Sequence, residues 1–237
     1  MLQFAVLISG RGSNMMKLAG AIVAEQLNAR IAIVISNQHC VGITHAANLG
    51  IQTKVIERQN FTTRHNHDRA IHDAITSSSV DYVFLAGYMA ILGADFTTAF
   101  AGRLINIHPS LLPDFKGLDT HRRAIEAQAK YHGATVHLVT AELDDGPIIL
   151  QAHLSILPED DADRLAARVL QLEHYLYPFI LKCLCKGHLT LFADRVTWHN
   201  PDRVLQLASA DSRHDLAKSL KWPCLPLIAA SQPCPKK

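Results

Sequence analysis

The segment Asn106-Ile107-His108-Pro109-Ser110-Leu111-Leu112-Pro113 and the turn Leu143-Asp144-Asp145-Gly146-Pro147 hold the residue types with the most chemistry to offer. Residues 103–107 read as a short strand. Side chains alternate faces along a strand, so Asn106 and His108 point the same way. Pro109 has no N–H for a sheet ladder and should end the strand. An amide and an imidazole then stand side by side at a strand's carboxyl end, where ligands bind in open α/β sheets. Asp144, in a loop, adds a carboxylate. A donor, an acid and a base are what acyl-group chemistry requires. Each residue also has a plainer reading, His108 as a structural histidine and Asp144 as a solvated turn residue. Their joint occurrence favours the functional one.

A second loop offers anion chemistry. The first apolar strand runs into Ser9-Gly10-Arg11-Gly12-Ser13-Asn14, and a helix follows. Glycines let backbone N–H groups approach an anion, and a helix amino terminus favours negative charge. Met15 stands where a dinucleotide fingerprint needs its third glycine, and the second strand ends at Ser36-Asn37 without an acid for a ribose diol. A P-loop lysine is also missing. The loop suits a phosphate monoester; the alternative is a tight turn with Ser13 as the helix N-cap.

Glu173 lies beside the apolar stripe Leu165, Val169, Leu172, Leu176 and Ile180 of a long helix. A carboxylate there must be paired or bind something, because unpaired burial is costly. A ribose diol is one partner, and an ion pair with Arg122 or Arg123 is the other. Fourteen histidines raise the question of a metal. Neither His65 with His67 nor His132 with His137 makes a zinc spacing, so no metal is expected.

The elements that must position these groups follow from hydrophobic periodicity. Residues 2–9, 30–36, 53–56 and 80–86 read as strands. Residues 13–27, 42–49 and 61–77 read as helices between them. Residues 118–129 form a further helix, and 133–140 and 148–154 are strands around the Asp144 loop. Residues 160–183 predict a long helix capped by Asp160 or Asp161 and kinked at Pro178. Two short strands, 189–192 and 195–198, meet at an Ala193-Asp194 turn. Repeated βα units predict an α/β fold, a Rossmann-like, mostly parallel sheet with helices on both faces. The main domain is expected over residues 1–200. Residues 201–237 form an extension, irregular in part, with four prolines between Lys221 and Lys237.

The 237 residues suffice for one domain with an appendage and a sizeable core. Hydrophobic residues make up 49% and charged residues 19%, which excludes a disordered chain. A net charge of +2 is too balanced for nucleic acid to be the default partner. The start has no signal-peptide pattern and no apolar run reaches spanning length, so a cytoplasmic protein without a membrane partner is expected. Five irregularly spaced cysteines read as reduced thiols.

Taken together, the chain over residues 2–200 resembles the phosphoribosylglycinamide formyltransferases. The resemblance rests on Ile8 through Asn14, Gly87-Tyr88-Met89, Asn106 through Pro113, Gly117 with Thr120-His121, and His132-Gly133 through Asp144 to Gly146-Pro147. It implies transfer of a formyl group from 10-formyltetrahydrofolate, the co-substrate, to glycinamide ribonucleotide in purine biosynthesis. By the same resemblance Asn106, His108 and Asp144 are catalytic. Gly12, Ser13 and Asn14 hold the substrate phosphate and Glu173 the ribose hydroxyls. Arg64, Met89, Leu92, Thr140, Ala141, Glu142 and Leu143 line the folate pocket, and Thr135 supports the site. The implied assembly is a monomer or a homodimer. Three positions depart from the family pattern. Ala90 stands where a basic residue is expected, Asp119 where a histidine is common, and Asp145 in place of a glycine, adding a second negative charge beside Asp144. A formyltetrahydrofolate hydrolase and a non-catalytic nucleotide-binding module are the rival readings.

Overall fold

The computed structural model describes residues 1–209 and 220–221. The chain runs β1 (Leu2–Ile8), α1 (Ser13–Ala24), β2 (Ala29–Ser36), α2 (Val41–Asn48), β3 (Thr53–Val55), a 3-10 turn, α3 (Arg64–Thr76), β4 (Tyr82–Leu85) and α4 (Ala94–Ala99). It continues with β5 (Leu104–His108), α5 (Thr120–Glu126), β6 (Tyr131–Leu138), β7 (Ile148–Ser155), α6 (Ala162–Cys185), β8 (Leu189–Leu191), β9 (Val196–Trp198), α7 (Pro201–Ser209) and β10 (Leu220–Lys221).

Eight strands form one sheet in the order β10-β7-β6-β5-β4-β1-β2-β3. From β3 to β5 neighbouring strands are parallel, and from β5 to β10 they are antiparallel. The sheet is thus Rossmann-like in its first half, and a β-meander extends it. After β1 the chain moves outward through β2 and β3, then returns to the other side of β1 with β4. Such a reversal opens a crevice at the strands' carboxyl ends.

Alternation along the strands separates two apolar layers. Phe4, Val6, Ile8, Phe84, Ile105, Ile107 and Val136 face α1 and α6. Ala5, Leu7, Ile33, Ile35, Leu85 and Leu104 face α3 and α4. The second layer stops at Leu104. Beyond it, on the same face, the strand pattern reaches Asn106 and His108. The five predicted stripe residues of α6 are all buried.

Local chemistry sets the element ends. The helix expected from residue 61 begins at Arg64, because the Thr63 side chain accepts from Asn66 N at 3.1 Å and caps it. Asp161 caps α6, accepting from Arg164 N at 2.8 Å. Asp160, the other candidate, accepts from Leu157 N instead. The helix continues through Pro178 to Cys185. β5 runs one residue past the expected end and includes His108, since its pairing with Thr135 on β6 needs nothing from Pro109. The helix expected over 118–129 shrinks to Thr120–Glu126, bounded by left-handed residues at Asp119 and Gln128.

Residues 201–209, assigned by sequence to the extension, form α7, and Val204 and Ala208 enter the core. Leu220 and Lys221 pair with β7. The remainder of the expected extension lies outside the described residues. Among the described residues Cys40, Cys183 and Cys185 are free thiols, and no helix is long and apolar enough to cross a membrane.

Candidate active site

Register brings four polar side chains onto one face of the sheet. Asn106 pairs with His137 and His108 with Thr135 across β5 and β6. Paired residues of an antiparallel ladder share a face, so the four form a patch. The loops 109–117 and 139–147 roof it.

His137 is the key to the orientation of Asn106. Its Nδ1 lies 2.8 Å from Leu138 O, and a carbonyl can only accept, so Nδ1 carries a proton. Burial pushes this imidazole down to about 4, against the opposing pull of the Leu138 carbonyl and the Asp144 charge. The ring is therefore neutral near pH 7 and its Nε2 is an acceptor. Asn106 Nδ2, 3.1 Å away, donates to it. One hydrogen of the amide is fixed in this way, and the other stays free for a ligand oxygen.

His108 is buried, with both ring nitrogens facing oxygen. Nε2 is 3.0 Å from Phe115 O and Nδ1 is 3.4 Å from Asp144 Oδ2. A ring carrying both protons donates to each. Asp144 Oδ2 also accepts from Gly117 N at 2.9 Å, and Asp144 Oδ1 lies 3.8 Å from His137 Nε2. Asp144 has left-handed backbone, φ 49°, and its side chain is buried, so it is not a solvated turn residue. His121 and His132 stand behind, with His121 Nδ1 3.2 Å from His132 Nε2. Burial depresses both, and His132 falls to about 4, so neither adds positive charge near neutral pH.

Thr135 does not face open space. Its hydroxyl donates to Ser110 O at 2.7 Å and accepts from Leu112 N at 3.1 Å and Gln151 Nε2 at 2.8 Å. It ties the loop after His108 to β6, which fixes where His108 can stand.

The anion loop lies at the β1/β4 crevice. Ser9 N donates to Gly87 O at 3.1 Å, and Met89 N donates to Ser9 Oγ at 2.8 Å. Gly12 is left-handed and occupies the N-cap of α1, so Ser13 is the first helical residue and not the cap. Gly42 is needed because the loop passes close by. A Cβ there would sit 2.7 Å from Gly10 O and 2.6 Å from Ile8 Cδ1.

Asn14 Nδ2 donates to Glu173 Oε2 at 2.7 Å. The expected alternative, an ion pair with Arg122 or Arg123, does not form. Arg122 pairs with Asp119, and Arg123 donates to backbone carbonyls. Asn14 Oδ1 is buried without a partner. One turn on from Glu173, the Tyr177 hydroxyl lies 2.6 Å from Leu85 O and 3.3 Å from Ile105 O, which places α6 across the β4–β5 seam.

Burial pushes the Glu173 carboxyl up to about 7, with the Asn14 amide pulling the other way. A carboxyl that binds protons more tightly when folded weakens the fold as pH rises from its unfolded value to its folded one. Between about pH 4.5 and 7 this group should remove up to about 3 kcal/mol of stability. Urea unfolding of Glu173→Gln should lack this pH-dependent decline, whereas the parent should show it. Identical pH profiles would remove the effect.

The folate-pocket candidates fall in three places. Thr140, Ala141, Glu142 and Leu143 precede Asp144 in the β6–β7 loop, and Leu143 approaches Gly117. Leu92 is buried and Met89 is 72% exposed in the loop after β4. Arg64 instead lines a groove of about 840 Å³ between α3 and α4, against Gly93. Sequence reasoning missed His137, Gln151 and the backbone groups of Phe115 and Gly117. Thr135 and His137, two apart on a strand, share a face, and that was the available signal.

Comparison with known proteins identifies the family. Residues 2–181 match the family model described as formyl transferase. The phosphoribosylglycinamide formyltransferase of Haemophilus influenzae is 44% identical over 81% of this chain and 91% of its own length. That of Escherichia coli is 38% identical over 86% of this chain and 96% of its own. The solved phosphoribosylglycinamide formyltransferase of Coxiella burnetii superposes with a TM-score of 0.79 at 40% identity, covering 83% of this chain and 93% of that one. The chain belongs to the phosphoribosylglycinamide formyltransferases, within the formyl transferase family.

Proposed function

We infer that the chain transfers a formyl group from 10-formyltetrahydrofolate to the amine of glycinamide ribonucleotide, a one-carbon step of de novo purine biosynthesis carried out in the cytoplasm. Residues 1–200 carry the reaction, and residues 201–237 are an extension. The observation that supports the reading most directly is the contact of His108 with Asp144 at 3.4 Å beside an Asn106 amide with one hydrogen free.

Gly12, Ser13 and Asn14 receive the substrate phosphate at the amino end of α1, where unpaired N–H groups and the helix dipole favour an anion. Ionised Glu173 accepts from the ribose hydroxyls. Arg64, Met89, Leu92 and residues 140–143 border the folate. The substrate amine attacks the formyl carbon, a carbon–nitrogen bond forms, and the carbonyl oxygen becomes an oxyanion. Asn106 Nδ2 and the protonated His108 stabilise that charge. Asp144, directly or through water, takes the amine proton. The bond from the formyl carbon to the folate nitrogen then breaks, and that nitrogen gains a proton. Thr135 keeps His108 in place.

An absorbance assay with and without glycinamide ribonucleotide tests this. Folate deformylation only with the ribonucleotide present is the expected result. Equal loss in both cuvettes would make the chain a hydrolase, and no loss in either, with binding intact, would make it a non-catalytic module.

A further inference from the structure

One short loop touches both His108 and Asp144. Phe115 O faces His108 Nε2 at 3.0 Å, and Gly117 N donates to Asp144 Oδ2 at 2.9 Å. The separation of the two side chains is therefore set by where residues 115–117 stand. This loop does not hold itself. Phe115, Gly117 and Asp119 all have left-handed backbone, at φ 55°, 77° and 57°. For a phenylalanine that conformation is unfavourable and persists only where the surroundings impose it.

Two sets of contacts impose it. Arg123 Nη1, on α5, donates to Lys116 O at 2.6 Å and Leu118 O at 3.2 Å. Its guanidinium carbon lies 5.8 Å from the centroid of the Phe115 ring. From the other side, the Lys116 ammonium pairs with Asp145, the residue that departs from the family's glycine. Asp145 thus joins the catalytic turn to the same loop, and its added charge is matched.

We propose that Arg123 is a positioning residue for formyl transfer, and that with the Lys116–Asp145 pair it clamps the Phe115–Gly117 loop so that His108 and Asp144 meet in register. The inference rests on the catalytic assignment of His108 and Asp144. Arg123 is exposed, so its truncation opens no core cavity. Lysine cannot replace it fully: an ammonium could meet the two carbonyls that Nη1 meets, but it lacks the planar guanidinium that lies over the Phe115 ring.

The test is steady-state kinetics of the full chain. Arg123→Ala should lower kcat by about tenfold, inside the roughly hundredfold that a misplacement of about 1 Å costs. KM for glycinamide ribonucleotide should stay unchanged, and Arg123→Lys should fall between. In an Asp144→Asn background the same Arg123→Ala change should cost less than about twofold, since its route to the reaction is already lost. Lys116→Asp should also reduce kcat, and Lys116→Asp with Asp145→Lys should restore it, which keeps the test open if Arg123→Ala folds poorly. Undiminished kcat in folded Arg123→Ala, an equal loss in both backgrounds, or no recovery in the charge exchange would overturn the proposal. If Asp144→Asn alone leaves kcat intact, the catalytic assignment fails instead, and the two failures are distinct.

Discussion

Replacing Asp144 by asparagine should lower kcat by about 1,000-fold, within the range of about 10² to 10⁴ for loss of a positioned general acid or base. The amide is nearly isosteric, and it can still accept from Gly117 N through its oxygen. The loop should therefore keep its shape, and thermal unfolding should move little. What disappears is the group that can take a proton, and with it the negative charge 3.4 Å from His108 Nδ1. The measurement is kcat against pH for parent and variant, with binding of the ribonucleotide followed separately. Because the phosphate and ribose contacts proposed above belong to α1 and α6, that binding should hold. Turnover near the parent value, in a variant with an unchanged unfolding midpoint, would remove Asp144 from the mechanism.

The second large effect concerns Asn106, and there the substitution by aspartate is more telling than alanine. Loss of a single oxyanion donor costs about 10²- to 10³-fold in kcat, which is the expectation for Asn106→Ala. Alanine also leaves His137 Nε2 buried without its donor, at a cost of about 1–3 kcal/mol in stability. Asn106→Asp has nearly the same shape but presents an oxygen to an acceptor nitrogen. Relief requires a proton between the two, and an ionised carboxylate there favours holding it on His137 Nε2. The Leu138 carbonyl already holds a proton on Nδ1, so the ring must become cationic. A nuclear magnetic resonance titration should then find His137 titrating well above the value of about 4 that burial imposes on it. Activity should be as low in Asp as in Ala, despite the conserved shape. If Asn106→Asp keeps turnover and leaves His137 titrating as before, the amide is not oriented by His137.

Both expectations treat the site as a network in which backbone groups do part of the positioning. The carbonyl of Phe115 and the amide of Gly117 orient His108 and Asp144, the side chains proposed to carry the chemistry. Thr135 and Gln151 hold the chain between them, through three hydrogen bonds to one hydroxyl. Such groups have no side-chain signature, so their contribution is visible only when loop and strand are seen together.

The sequence alone determined the βα units, because apolar runs bounded by glycine and polar turns leave little choice of period. It determined that Asn106 and His108 share a face, since that follows from a strand's repeat of two residues. It determined the α6 stripe and the odd place of Glu173 beside it. What it could not determine is which strands lie side by side. His137 sits 31 residues from Asn106, and Asp144 is farther on still. Their meeting depends on the antiparallel register of β5 and β6, a long-range pairing with no local encoding. The same holds for Glu173, whose partner proved to be Asn14, 159 residues away, and not Arg122 or Arg123. The order of α7 is likewise a tertiary result. Its propensity is unremarkable, but Val204 and Ala208 find a core to enter, and burial supplies what the local sequence does not. The chemistry was thus legible as a set of residue types. Its geometry was decided by packing, which alone brings distant backbone and side chains within hydrogen-bond reach.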